Sequence, residues 1–289
     1  MKTLTLLSAA ALAPALAAGS AFAVTLDGQL DTDYGTALFV QDTPTGFGDN
    51  TNAGAVAANG SEIDGLYAFN DGTNLNVLAT GNLETNFNRL ALFFDTGAGG
   101  QNVLDGSTTD TSSGGGSLND FNGITFDTGF EADYFLQYNG GNAPEEFFLD
   151  YADIGGTGIF LGGSTPGSPL VNGSNGINVT LDNSNIAGVT DTSAAGAAAV
   201  TTGVEFVIPL SELGNPTGDI SLAGFISGGS FLSNQVIGGV GGAGNLGNNP
   251  VADFSAIAGD QFVTVPVPEP ANLALVALGG AALLGRRRA

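Results

Sequence analysis

The 289-residue chain contains no cysteine, no histidine and no tryptophan, and it has five basic residues against 28 acidic ones. Without cysteine there is no disulfide, no thiol nucleophile and no thiolate metal site. Without histidine, Ser-His-Asp and Cys-His catalysis and histidine-based zinc sites are excluded. The single lysine is Lys2, so no phosphate-cradling Gly-x-x-x-x-Gly-Lys sequence exists. Charged residues make up 11% of the chain, against a usual value of about 25%. Asn, Ser, Thr, Gln and Gly must therefore cover most of the surface. Long helical periodicity bounded by caps is also missing.

What is present falls into three parts: 1–23, 24–265 and 266–289. Lys2, the apolar run 4–18 and the small-x-small triplet Ala21-Phe22-Ala23 have the form of a secretory signal peptide. Signal peptidase would then leave Val24 as the first residue. At the other end, Val265-Pro-Val-Pro-Glu-Pro270 precedes an apolar run from Ala271 to Gly285 and then Arg286, Arg287 and Arg288. The run is shorter than the roughly 20 residues of a full membrane span. The prolines cannot extend it backwards as helix, and the arginines would stay on the cytoplasmic side. A short C-terminal hydrophobic helix is expected here, inserted transiently. An ordinary single-span anchor is the plainer alternative.

Val267, Pro268, Glu269 and Pro270, the apolar run and the arginine cluster together resemble the PEP-CTERM sorting tail. That resemblance implies recognition by an exosortase, a membrane-embedded cysteine transpeptidase that cuts near the Pro-Glu-Pro motif. It also implies an exopolysaccharide-producing bacterium of Gram-negative type. The expected destination is the cell surface or extracellular matrix, after transient attachment to the inner membrane.

Once both ends are set aside, Arg89 is the only cation of 24–265 and stands against 27 acids, a formal charge of −26. Such a body repels nucleic acid and anionic membranes, which require clustered Lys and Arg. The 19 phenylalanines call for a packed core. Turn dipeptides recur at Asp27-Gly28, Asn59-Gly60, Asp64-Gly65, Asp71-Gly72, Asn122-Gly123 and Asn139-Gly140. Between them lie β-rich stretches at 36–41, 66–69, 75–80, 90–95, 132–138, 146–151, 158–161, 177–181, 204–208, 221–226 and 261–265. Residues 75–80 alternate, and Leu90-Ala-Leu-Phe-Phe94 is apolar throughout, which marks a central strand. One helical turn is expected at 209–213 before Gly214, and a short helix at 193–200. Gly-rich stretches at 106–117, 162–176 and 238–247 read as long surface loops. The expectation is an all-β antiparallel sandwich.

Val24-Thr-Leu-Asp-Gly-Gln-Leu-Asp-Thr-Asp-Tyr34 is similar to the opening strand of family 9 carbohydrate-binding modules and related DOMON-like sandwiches. Residues 75–80 and 90–95 look like their central strands. The stretch 203–214, followed by Gly218-Asp219-Ile220, resembles their closing strand, turn and strand. The resemblance implies a polysaccharide ligand. The family's best-known sites stack sugar between tryptophans, so stacking here would fall to tyrosine or phenylalanine.

The candidate ligand contacts are Tyr34, Arg89 and Tyr134. Arg89 has a plainer role as the partner of a nearby acid, and the tyrosines as core-edge residues. No cofactor is required. Ca²⁺ is the candidate metal, with oxygen ligands on turns at Asp31, Asp33 and Asp71 and again at 182–185, although none has EF-hand spacing and turn chemistry alone accounts for them. The leading expectation is a non-catalytic exported protein that binds polysaccharide or serves a structural role. The alternative is a carboxylate-dependent glycan-processing enzyme, which needs two acids about 5–10 Å apart across a cleft. Glu145 and Glu146 point to opposite faces of a strand, whereas Asp31 and Asp33 can share one.

Overall fold

The computed structural model describes residues 24–48, 60–109, 118–142, 144–165, 167–171, 175–188, 194–242, 244–248 and 252–266. The signal cleavage residues Ala21 and Ala23 lie outside the described residues. So do Val267, Pro268, Glu269 and Pro270 of the sorting motif, the short C-terminal hydrophobic helix, and Arg286, Arg287 and Arg288. No helix among the described residues is long and apolar enough to cross a membrane.

The described residues form fourteen strands: β1 (Phe39–Val40), β2 (Glu62–Asn70), β3 (Asn74–Asn82), β4 (Asn88–Asp95), β5 (Tyr134–Gly141), β6 (Glu146–Asp153), β7 (Gly158–Ser164), β8 (Leu170–Val171), β9 (Asn178–Leu181), β10 (Gly203–Pro209), β11 (Ile220–Gly228), β12 (Phe231–Val236), β13 (Gly247–Asn248) and β14 (Val263–Val265). A smaller sheet runs β1-β2-β3-β10-β9-β8, and a larger one runs β13-β12-β11-β4-β5-β6-β7. β14 adds to the larger sheet by pairing with β11 at Ile220–Leu222. All strand pairings are antiparallel. The all-β sandwich is what the short alternating segments require, since each sheet must bury one apolar face.

Leu66, Leu75 and Val77 of the smaller sheet meet Leu90, Leu92, Phe94, Leu136 and Leu149 of the larger. Each fully buried aliphatic side chain of this kind contributes about 1.5–3 kcal/mol. Alternation then sends Ala91 and Phe93 of β4 to the other face of the larger sheet. That face is also buried, because Leu104, Leu118, Phe121, Ile124, Phe126 and Phe130 from the β4–β5 connection lie over it. Phe93 is the hub of this layer, with ring centroids 4.9 Å from Phe126, 5.1 Å from Phe135 and 5.6 Å from Phe225. A strand covered on both faces reads as a continuous apolar run, which explains the sequence of β4.

Several local expectations change. Residues 24–34 do not form an opening strand. Gln29 makes an isolated bridge to Thr202, and Thr32–Tyr34 is a 3₁₀ turn. The helical turn at Leu210–Leu213 is present and stops at Gly214 in the left-handed region (φ 75°), while the alanine-rich stretch gives only the 3₁₀ turn Ala197–Ala199. The Gly-rich stretches are not simply loops: β7 runs to Ser164, β8 falls inside one, β13 begins at the last residue of another, and Gly106 is buried at the start of a 3₁₀ turn. Asn139-Gly140 is no turn but the interior of β5, and Asp64-Gly65 sits at a bulge within β2. β12 is not among the expected strands, and its centre is the polar run Ser233, Asn234 and Gln235. All three are buried and satisfied by backbone: Ser233 Oγ donates to Ile226 O (2.8 Å), Asn234 Nδ2 to Pro44 O (2.9 Å) and Gln235 Nε2 to Thr43 O (3.0 Å).

Candidate aromatic groove

The pair Gly140-Gly141 at the end of β5 removes two Cβ atoms from adjacent positions, one on each face of the larger sheet. An aromatic ring occupies each vacancy. A Cβ on Gly140 would lie 2.4 Å from the Phe147 ring on the core side, and one on Gly141 would lie 2.1 Å from Phe87 on the outer side. Phe147 belongs to the central core. Phe87 is 47% exposed and has φ 65°, a left-handed conformation that is a genuine outlier for a bulky residue and costs of order 1–3 kcal/mol. Its N–H donates to Gly140 O at 2.6 Å, which ties the strained residue to the strand that its ring covers.

Register places the neighbours of that ring. Gly141 pairs with Glu146, and Asp150 pairs with Phe160 across the β6–β7 bulge. Residues opposite one another share a face, as do positions i and i+2 of a strand. Phe87, Glu146, Phe148, Asp150 and Phe160 therefore form one strip on the outer face. Phe148 and Phe160 have ring centroids 6.3 Å apart, and Phe160 is 40% exposed. Beside them lies an open groove of about 300 Å³ lined by Glu146, Phe148, Gly163, Ser164, Thr165, Ser168 and Pro169. Asn142 Nδ2 donates to Glu146 Oε2 at 2.8 Å. The loop carrying Phe87 also holds Glu84, whose Oε2 accepts from Asn86 Nδ2 at 2.9 Å; burial raises its carboxyl pKa, partly offset by that bond. Exposed ring faces with carboxylate, amide and hydroxyl groups at the rim can stack a sugar and bind its hydroxyls. A larger depression of about 420 Å³, lined by Gly72, Thr73, Pro209, Leu210, Ser211, Asn215 and Pro216, offers neither ring nor charge.

Within the strip, Asp150 is fully buried. Burial pushes its carboxyl up to about 7, against the opposing pull of Arg89 and a 3.4 Å hydrogen bond from Gln137 Nε2. Arg89 itself is paired with Asp120 at 2.5 Å and is mostly buried. It pairs with a nearby, partly exposed acid, the plainer of its two roles.

The other sequence candidates do not join this strip. Tyr34 is 4% exposed. Its ring meets Phe69 edge-on, and its hydroxyl donates to Glu205 Oε1 at 2.9 Å. Glu205, fully buried on β10, also accepts from the N–H groups of Asp27 (2.9 Å) and Gly28 (2.8 Å) through Oε2. Burial raises the carboxyl pKa of Glu205, opposed by these three hydrogen bonds. Burial and the neighbouring Glu205 raise the hydroxyl of Tyr34. Tyr134 is half-buried and stacked on Tyr151, with its hydroxyl beside Gly214.

Asp31 precedes the 3₁₀ turn and accepts from Thr25 N–H at 2.8 Å, while Asp33 lies exposed within that turn. Asp71 sits at the β2–β3 turn. Burial alone would raise its carboxyl, but bonds from Asn74, Thr73 and Asn76 outweigh that and hold it below the usual range. Its oxygens organise the turn. No group of three or more acidic side chains among the described residues is placed to hold a metal ion.

Sequence reasoning favoured tyrosine for its polar handle and passed over Phe87, Phe148 and Phe160. The usable signal was the Gly-Gly pair closing an alternating strand. Comparison of the chain with protein-family models, with curated proteins and with solved structures gave no match.

Proposed function

We propose that the protein is a non-catalytic, exported β-sandwich that binds polysaccharide at the cell surface or in the extracellular matrix, delivered there by an exosortase-type system. The observation that carries the reading is the strip formed by exposed Phe87 and Phe160 and half-buried Phe148, beside an open groove. A water-exposed ring face buries apolar area when a sugar ring stacks on it. The signal-peptide and sorting-tail sequences supply the export part of the proposal. A binding role is preferred over glycan processing because Glu146 is the one carboxylate among the residues lining the groove, whereas glycoside hydrolysis requires two.

The test is a glycan array probed with the exported protein, in Ca²⁺ and in chelator. The expected result is retention of at least one polysaccharide class, lost in Phe148→Ala. No glycan retained in either condition would defeat the binding reading and leave a structural role.

A further inference from the structure

We propose that the glycan taken by this groove carries ammonium groups, as a partly or fully deacetylated amino-sugar polymer does; this rests on the glycan-binding reading above. Charge selects the ligand first. Glu146 is the carboxylate lining the groove. The only cation of residues 24–265 is Arg89, which is turned inward and paired with Asp120 at 2.5 Å. The rim therefore offers negative charge and no positive charge to a ligand.

The whole body adds its field, since residues 24–265 carry a formal charge of −26. A strongly anionic protein concentrates cationic ligands and repels uronate or sulfated chains. The rings act in the same direction. Phe87, Phe148 and Phe160 present negative π-faces, which attract an ammonium group within about 6 Å of the ring centre. The same rings stack on the apolar face of a neutral sugar, so charge decides the class and the rings hold it.

The experiment compares four soluble probes against the exported protein by isothermal titration calorimetry: a fully deacetylated glucosamine oligomer, its fully N-acetylated counterpart, a neutral glucan oligomer and a uronate oligomer. The expected result is preference for the deacetylated oligomer, weakened by about tenfold or more between 50 mM and 500 mM salt, as exposed charge contacts are screened. Glu146→Gln should cost that probe roughly tenfold, the equivalent of one charge contact of about 1.4 kcal/mol. It should leave the neutral glucan unchanged. Phe160→Ala should weaken both. Both side chains are exposed, so far-UV circular dichroism should show the fold retained.

Equal affinity for the acetylated and deacetylated oligomers would overturn the charge assignment while leaving glycan binding intact. Ca²⁺-dependent capture of the uronate oligomer would overturn it in favour of a metal-bridged polyanion. Failure of all four probes together with an empty glycan array would remove the underlying reading as well.

Discussion

Replacement of Asp150 by asparagine should make the protein more stable at neutral pH. Asp150 is fully buried within the aromatic strip and is pushed from 3.8 to about 7. A folded pKa above the unfolded one means that, between about pH 4 and 7, the native state holds a proton that the unfolded chain has released. Stability should then fall as pH rises through this window and level off above 7. With three pH units of displacement at 1.36 kcal/mol each, the charged carboxylate costs the native state about 4 kcal/mol at pH 8. This is an upper bound, because water entry and side-chain relaxation reduce it. The asparagine of the Asp150→Asn variant would fit the same space without charge, and Arg89 would keep Asp120 as its partner.

Urea unfolding followed by far-UV circular dichroism at pH 4, 5, 6, 7 and 8 measures the effect. The variant should exceed the parent by a margin that grows from near zero at pH 4 to several kcal/mol at pH 8. A margin that stays constant across the series, or a variant less stable than the parent at pH 8, would refute the argument.

Three further outcomes are expected. Tyr34→Phe removes a hydrogen bond to a buried carboxylate and should cost about 1.5–3 kcal/mol, read as a lower urea midpoint with no change in slope. Gly140→Ala sets a methyl group 2.4 Å from the Phe147 ring and should cost about 1–3 kcal/mol by overpacking. A thermal midpoint equal to that of the parent would contradict the proposed packing. Mass spectrometry of the exported protein should place its C-terminus close to Pro268–Pro270, whereas an intact Ala289 would favour a simple anchor over a processed tail.

The two layers were legible because burial leaves a local trace. Leu90-Ala-Leu-Phe-Phe94 is apolar at every position because β4 is covered on both faces, and Leu75, Val77 and Ala79 alternate with Asn76 and Leu78 as a strand must. The signal fails where tertiary contacts take over a local role. Asn139-Gly140 has the chemistry of a turn, yet it lies in a strand because the ring of Phe147 fills the vacancy its glycine leaves. Ser233-Asn-Gln235 has the chemistry of a loop, yet the backbone of residues 43 and 44 and of Ile226 satisfies its polar groups.

The groove was harder to read. Exposure of a phenylalanine depends on which strand ends beside it, and neither Phe87 nor Phe160 carries a neighbouring residue that announces it. Tyr34 was the natural candidate because it has a hydroxyl, but that hydroxyl belongs to Glu205, 171 positions away.

The Glu205 clamp also sets an order of events. Asp27 stands 178 positions before the carboxylate that holds its backbone. A ribosome adding about 5–20 residues per second needs roughly 9–36 s to cross that interval. For all of that time Asp27 and Gly28 lack the carboxylate that holds them, and β3 waits a shorter interval for β10, whose Gly203 pairs with Thr80. The smaller sheet is thus completed only once β10 has been made, at residue 209 of 289. Until then the smaller sheet lacks the strand that joins β3 to β9, and it has no complete apolar face to set against the larger sheet.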